Sequence, residues 1–565
     1  VLTRSPAIAN WSAESIAPEV RAALLGPGAP FELRDEQVLG VTVQVFASRP
    51  ASMSDVLSRA VAAHPDRVFL TFPDEQLRYR DAADEIARIA GVLADRGVRA
   101  GDRVAIASAN NAEHVLTVWA VMHLGAIITG LNGWWTPAEF EQALGLTTPT
   151  LVLADERRAD LLNQVNAEAP VVPLAEIRER AHSGAEPIPA AAVDEDAPAM
   201  ILFTSGTTGR AKAPTLSQRN LVHFGQVNLL RGAITALSSG MVPDPTFQSC
   251  GISVSPLFHV SGSVPLFGAP WTSGQVVYPA PGRWDETLHL ELTARHRVTM
   301  WSGVPMQLHR LIEHPRLDDY DLTALRAVSS GGAMMPPALI QRYQERLPQV
   351  AVGTGYGSSE TSGLGTGING IEYVTHPTSV GGPVPTSEVQ VRRLDGSLAE
   401  TGESGEVFLR SASVFIGYWN DDEATAEVLD ADRWYGTGDF GRIEDGRLHL
   451  DGRFRDRIIR GGENISPLEV EHRLVAHPQI EDAAVIGVDH EVLGQEVLAV
   501  VVRTDGTLNA ADVRDWAGLE LAAFKIPAHV VFVAALPYTA SGKVQKRVLE
   551  QQSRALLDGA GFLDS

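Results

Sequence analysis

The densest chemistry in the chain lies at residues 200–212, Met-Ile-Leu-Phe-Thr-Ser-Gly-Thr-Thr-Gly-Arg-Ala-Lys. A short apolar run enters a loop of hydroxyls and glycines, a lysine follows, and a helix is expected to open after Ser217, a suitable N-cap. Glycines such as Gly206 and Gly209 let backbone N–H groups turn toward a guest. The hydroxyls of Thr204, Ser205, Thr207 and Thr208 add neutral donors, and Lys212 adds a point charge. Together they suit a polyphosphate. The spacing is not that of a Walker phosphate loop, so an ordinary P-loop nucleotidase is disfavoured. A solvated turn would share the composition, but not the strand entry or the lysine. Of the 46 basic residues only Lys212, Lys525, Lys543 and Lys546 are lysine. Where arginine is the default cation, as in a GC-rich bacterial genome, a retained lysine points to a site that needs a compact ammonium on a flexible stem.

Further motifs follow in order: Pro256-Leu-Phe-His-Val-Ser-Gly262, Ser330-Gly-Gly-Ala333, Gly355-Tyr-Gly-Ser-Ser-Glu360, Trp434-Tyr-Gly-Thr-Gly-Asp439 and Asp451-Gly-Arg453. Arg460-Gly-Gly-Glu-Asn-Ile-Ser-Pro-Leu-Glu-Val-Glu471 and Pro537-Tyr-Thr-Ala-Ser-Gly-Lys543 complete the series. Over roughly residues 53 to 550 this pattern resembles the adenylate-forming superfamily of acyl-CoA synthetases, peptide-synthetase adenylation domains and luciferases. The resemblance implies that a carboxylic acid is activated with ATP and Mg²⁺. Its carboxylate displaces pyrophosphate from the α-phosphorus, and the acyl-adenylate then passes to CoA as a thioester. Catalysis of the first step is mainly positioning and charge neutralisation.

By this resemblance Lys212 and the loop hydroxyls hold the β- and γ-phosphates, and Gly331, Gly332 and Ala333 border the adenine. Gly355, Gly357 and Ser358 line the nucleotide, Tyr356 stacks on adenine, Ser359 bonds the α-phosphate and Glu360 helps hold Mg²⁺. Asp439 accepts both ribose hydroxyls with Arg453 beside it, and Lys543 approaches the carboxylate and α-phosphate from a small lobe. Rotation about Arg455 withdraws Lys543 and brings in Gly461 and Gly462, which leave a channel for the pantetheine thiol. The acyl pocket is expected from Phe258, His259, Val260, Ser261, Met334, Val352, Gly353 and Thr354. His259 is either a catalytic neighbour of the acyl carboxylate or a packed histidine shaping the pocket. With no carboxylate there to hold an ammonium, a hydrophobic organic acid is favoured over an amino acid. Gly363, Gly365 and Gly367 suggest room for a ring.

Three positions depart from the family pattern: Ala211-Lys-Ala213, Gln218 and Ser359. None removes a charged group, so adenylation is expected to survive. An enzyme that hands acyl-AMP to a carrier protein, an amine or a partner enzyme stays open, as does homodimerisation. A non-catalytic nucleotide-binding relative is a remoter alternative, opposed by the retention of Lys543 and Glu360. Gly365-Thr-Gly-Ile-Asn-Gly370 satisfies a dinucleotide fingerprint literally, but the following Ile-Glu-Tyr-Val-Thr reads as a strand, so that reading fails on context. The histidines show no zinc-ligand spacing.

These residues need a scaffold of several units, as 565 residues exceed one core. At 44% hydrophobic and 20% charged, the composition is that of an ordered globular protein. A net charge of −23 argues against nucleic acid as a partner. The lone Cys250 points to a reducing cytoplasm, and no signal peptide is expected at the start. Residues 1–52 read as an irregular, surface-lying N-terminal extension, with Pro-Gly-Ala-Pro at 27–30. Ile86, Ile89, Ala90 and Leu93 mark an amphipathic helix, residues 104–107 a buried strand, and the apolar run 115–130 a buried helix too short to span a membrane. Such alternation to about residue 380 predicts layered α/β sheets, followed by short strands at 388–393, 405–410 and 447–450. The fold class is α/β. The resemblance makes residues 53–454 a large adenylation domain with a small β-barrel-like part, and 455–565 a small mobile α+β domain hinged near 455. In the latter, helices are expected at 469–476 and 510–519 and strands at 483–488 and 497–502.

Overall fold

The stripe Ile86, Ile89, Ala90 and Leu93 is buried along the helix Tyr79–Asp95, and residues 104–107 lie in the strand Arg103–Ala107. The computed structural model describes residues 7–165, 168–204, 211–240, 244, 246–453, 456–461, 463–504, 506–539 and 542–558. The run 115–130 is not one helix. The helix Ala112–His123 ends, and Ile127–Gly130 becomes a strand, because its β-branched residues pair in parallel with Arg103–Ala107.

That pair sits inside a seven-stranded sheet, and a nine-stranded sheet lies across a shared core. Val104 and Ile106 of the first sheet, Phe69 and Leu70 of the second, and Trp119 of the helix Ala112–His123 join one buried cluster. Phe69 stacks on Tyr79 at 4.4 Å between ring centroids, and Trp119 meets Phe267 edge-on at 5.6 Å. The helix α1 (Gln218–Ser238) starts as expected at Ser217, whose side chain accepts from the Asn220 N–H. The Gln218 side chain accepts from the Met53 N–H at 3.1 Å, which gives that departure a structural use.

In the nine-stranded sheet β1 (Ala327–Ser330) runs parallel to β2 (Ala351–Tyr356), and β3 (Thr366–Asn369) pairs antiparallel with β2. The run after β3, expected as a strand, is the helix Gly370–Thr375, which turns back to bury Tyr373. An antiparallel five-stranded sheet contains β4 (Tyr435–Glu444) and β5 (Arg447–Arg453), paired so that Asp439 faces Arg453.

Residues 7–50 are not an irregular surface extension. Ile8–Asn10 adds a strand to the five-stranded sheet, and the helix Pro18–Leu25 buries Val20 and Leu24 against Phe224, Val227 and Leu230 of α1. A hairpin, Leu33–Val38 with Val41–Phe46, buries Val45 and Phe46 fully. Its Glu36 meets Arg49 at 2.7 Å and Arg219 at 3.1 Å, and Arg219 reaches Asp196 at 2.6 Å. Arg219, Asp196 and the α1 residues lie far along the chain, so local patterning could not reveal this packing.

The C-terminal part is an α+β layer. Ile480–His490 and Gly494–Arg503 form a long hairpin, and His529–Val533 pairs in parallel with the latter. The helices Pro467–Val475 and Ala510–Gly518 supply Val470, Leu474, Val513 and Ala517 to the core on one face.

Candidate active site

The loops expected to carry chemistry follow the C-terminal ends of the parallel strands Pro198–Leu202, β1 and β2, where open parallel sheets bind ligands. They meet β4, β5 and the C-terminal layer around a cleft of about 2430 Å³. Thr204 and Lys212 close the base of the phosphate loop by exchanging backbone hydrogen bonds of 2.9 and 3.1 Å. Ser205, Gly206, Thr207, Thr208 and Gly209 lie outside the described residues.

The Lys212 ammonium stands 4.9 Å over the Tyr418 ring and 3.6 Å from the Glu427 carboxylate. The Tyr418 hydroxyl donates to Oε1 of buried Glu360 at 3.0 Å. Burial, then the Glu360 charge, raise the Tyr418 pKa, so the phenol remains a donor. Glu360 therefore keeps a fixed orientation, with Oε2 left for a ligand. Neither Tyr418 nor Glu427 was singled out from sequence. Tyr418 is 58 residues from Glu360, and only the edge strand Gly417–Tyr418, added to the seven-stranded sheet, brings them together.

On the opposite wall Tyr356 donates to Asp439 Oδ2 at 2.8 Å, and Arg453 Nε donates to Oδ1 at 3.0 Å. Each carboxylate oxygen keeps a lone pair for a further donor. Burial, then Asp439, hold the Tyr356 phenol well above its usual pKa. Ser358, Ser359, Gly355 and Gly357 line the same wall.

Gly331, Gly332 and Ala333 follow β1 and line the cleft. Gly332 has φ +78°, and a Cβ there would lie 3.3 Å from Lys543 Cε. Lys543 is presented by a tight turn: its N–H donates to Thr539 Oγ1 at 3.1 Å, and the Thr539 N–H to the Lys543 carbonyl at 2.8 Å. Solvent in the cleft reaches the side chain, yet the protein around it lowers the Lys543 pKa. Desolvation is the main cause and Arg453 adds to it, while Asp439 and Glu360 oppose them. Burial, then the Lys543 charge, lower His259 to about 4, so its imidazole is neutral at pH 7. Lys543 and His259 therefore face the same space as Arg453, Asp439 and Glu360.

His259, Val260, Ser261, Met334, Gly353 and Thr354 line the cleft, but Phe258 and Val352 do not. Phe258 is buried edge-on to Trp134 at 5.4 Å. Val352 lies deeper along β2 and is fully buried in the hydrophobic core with Val328 and Ile368. Gly365 and Gly367 do not make room for a ring: a Cβ at Gly365 would meet Leu409 Cδ1 at 2.6 Å, and one at Gly367 would meet Arg231 Nη2 at 2.6 Å. Of the three glycines only Gly363 lines the cleft. Gly461 lies away from it, in the turn between Ile458–Arg460 and Glu463–Ile465, and donates its N–H to the Leu493 carbonyl at 2.8 Å. Gly462 and Arg455 lie outside the described residues.

Residues 57–419 match the family model of the AMP-binding enzymes, and residues 469–543 match that of the AMP-binding enzyme C-terminal domain. The chain is 31% identical over 515 residues to an indoleacetate–CoA ligase of Aromatoleum aromaticum, covering 88% of this chain and 98% of that one. It is 33% identical over 516 residues to a Mycobacterium tuberculosis propanoyl:CoA ligase whose acyl group bears a methylated dioxo-octahydroindenyl ring, covering 88% and 97%. Among solved structures, the Bacillus subtilis o-succinylbenzoate CoA synthetase with its acyl-adenylate intermediate superposes with TM-score 0.77 and 28% identity, over 87% of this chain and 97% of that one.

Proposed function

The chain belongs to the AMP-binding enzyme family and is an AMP-forming acyl-CoA synthetase, and we propose that it activates a hydrophobic, ring-bearing acid through the cleft residues just described. In the first half-reaction a carboxylate oxygen of the acid bonds to the α-phosphorus of ATP, and the bond to the pyrophosphate oxygen breaks. In the second, the CoA sulfur bonds to the acyl carbon, its proton is lost, and AMP leaves.

Lys543 donates to the oxygens that gather charge in the first step, where a fixed donor outweighs a mobile water. Neutral His259 orients the carboxylate rather than titrating. Lys212, seated on Tyr418, meets the departing phosphates, and Asp439 takes the ribose hydroxyls while Tyr356 and Arg453 hold it still. The donor set fits magnesium: Glu360 offers one hard carboxylate oxygen and would hold the ion beside the phosphates. Bound there, the ion neutralises phosphate charge.

One observation carries the reading: Lys543 of the C-terminal layer lies against Gly332, among groups from β2, β4 and β5. A hydrophobic acid is supported by the apolar lining of Phe224, Ile252, Val260, Met334, Leu364 and Ile368, and a ring by the acids named for the two relatives. No described helix is long and apolar enough to cross a membrane, and the buried lone Cys250 supports a cytoplasmic setting. The test is mass spectrometry of enzyme, Mg-ATP and a pool of fatty, aromatic and polycyclic acids, with and without CoA. The expected result is acyl-CoA only in the tube with CoA, from a ring-bearing acid. Acyl-adenylate in both tubes with no thioester would overturn CoA as the acceptor.

A further inference from the structure

The acyl end of the cleft holds a cation that the two half-reactions leave unused. On α1, Phe224, Asn228, Arg231 and Thr235 recur at helical spacing and line the cleft together. The Arg231 guanidinium lies across bare backbone of β3: a Cβ at Gly367 would stand 2.6 Å from Nη2, 3.1 Å from Cζ and 3.3 Å from Nη1. Gly367 faces Gly355 of β2, so the fork sits one strand beyond the acyl wall made by Gly353 and Thr354. Among the described residues its guanidinium makes no ion pair and no hydrogen bond, whereas Arg49, Arg178 and Arg219 each engage several carboxylates. Burial lowers the Arg231 pKa with no acid to offset it. The side chain is half-buried and open to the cleft, so a guanidinium with no carboxylate partner beside Phe224, Ile252, Leu364 and Ile368 is free to pair with a guest's oxygen.

We infer that Arg231 determines specificity by gripping a planar oxygen acceptor, a second carboxylate or a ketone, at the far end of an acid whose body is apolar. The inference rests on the synthetase reading of the same cleft and names the acid more closely. Lys543 stands over Gly332, beyond β1, and Arg231 over β3, two strands away, a lateral step of about 10 Å. The fork offers two parallel donors, which suits an sp² oxygen better than a hydroxyl. Gly367 is what lets the fork lie flat; a methyl there would push it off the strand.

The test is calorimetric binding of octanoate, 7-oxooctanoate and octanedioate to the full chain. At least one oxygenated acid is expected to bind about tenfold or more tighter than octanoate. Preference for octanedioate assigns the acceptor as carboxylate, and preference for 7-oxooctanoate assigns it as ketone. Arg231→Met should bring the three acids within about twofold of one another. Gly367→Ala, which keeps the charge but displaces the fork, should shrink the preference without Arg231 being touched. Three acids bound alike by the unaltered chain, or a preference that both variants retain, overturns the inference. Because binding is read without turnover, a preference lost with Arg231→Met, in a protein that forms no acyl-adenylate, would support Arg231 while sinking the synthetase reading.

Discussion

Replacing Lys543 with alanine should separate the two half-reactions. The ammonium lies against Gly332 with Arg453 on one side and Asp439 and Glu360 on the other, in the space where the carboxylate meets the α-phosphate. Removing one fixed donor from developing charge costs about 2.7–4 kcal/mol, or roughly 10²–10³ in rate. The C-terminal layer has Lys543 at the cleft and Gly461 away from it, so thiol attack calls for another arrangement in which the ammonium has no part. Pyrophosphate exchange should therefore fall about 10²–10³-fold, while thioester formation from supplied acyl-adenylate stays within about twofold. Equal losses in both assays would refute the assignment, and so would unchanged exchange. The pH profile gives an independent check. The protonated form is the active one and its pKa is lowered, so adenylation should fail on the alkaline side below the 10.5 of a free lysine. Lys543→Arg should move that limb upward.

Gly332→Ala forces a residue with φ +78° to carry a Cβ 3.3 Å from Lys543 Cε, costing about 1–2 kcal/mol in backbone strain; adenylation should slow more than thiolation, and equal slowing would mean general damage. Tyr418→Phe keeps the ring under Lys212 but removes the donor to Glu360, so pyrophosphate exchange should drop about tenfold or more at subsaturating Mg-ATP; an unchanged rate would remove Tyr418 from the site. Burial is the main cause that lowers His114 and His289 to about 4 and His223 to about 3. As pH falls from 6.5 toward 4 the unfolded chain binds protons that the native state refuses, so stability should fall by about 1.4 kcal/mol per pH unit for each. Urea midpoints at pH 7 and pH 5 measure this, and equal midpoints would contradict it.

The sequence by itself determined what local chemistry can express. The helical stripe from Ile86 to Leu93, the Ser217 cap and the hydroxyl-glycine loop ending at Lys212 are signals within one turn or one loop, and the motifs marked the nucleotide wall of the cleft. Asp439 and Arg453 were both legible, although their contact depends on the register of β4 with β5. Sheet order alone decided the rest. Tyr418 reaches Glu360 only because a two-residue strand adds to an edge. Val352 is taken up by the core although Thr354, two residues on, lines the cleft, so alternation along β2 does not decide it. Residues 7–50 pack into the fold in part through Glu36 and Arg49 meeting Arg219, whose charges look like solvated surface until they meet. Gly365 and Gly367 read as empty space, yet Leu409 and Arg231 fill it. A glycine's missing side chain shows in the sequence, but what occupies its place comes from chain distant in sequence and is brought there by the tertiary fold.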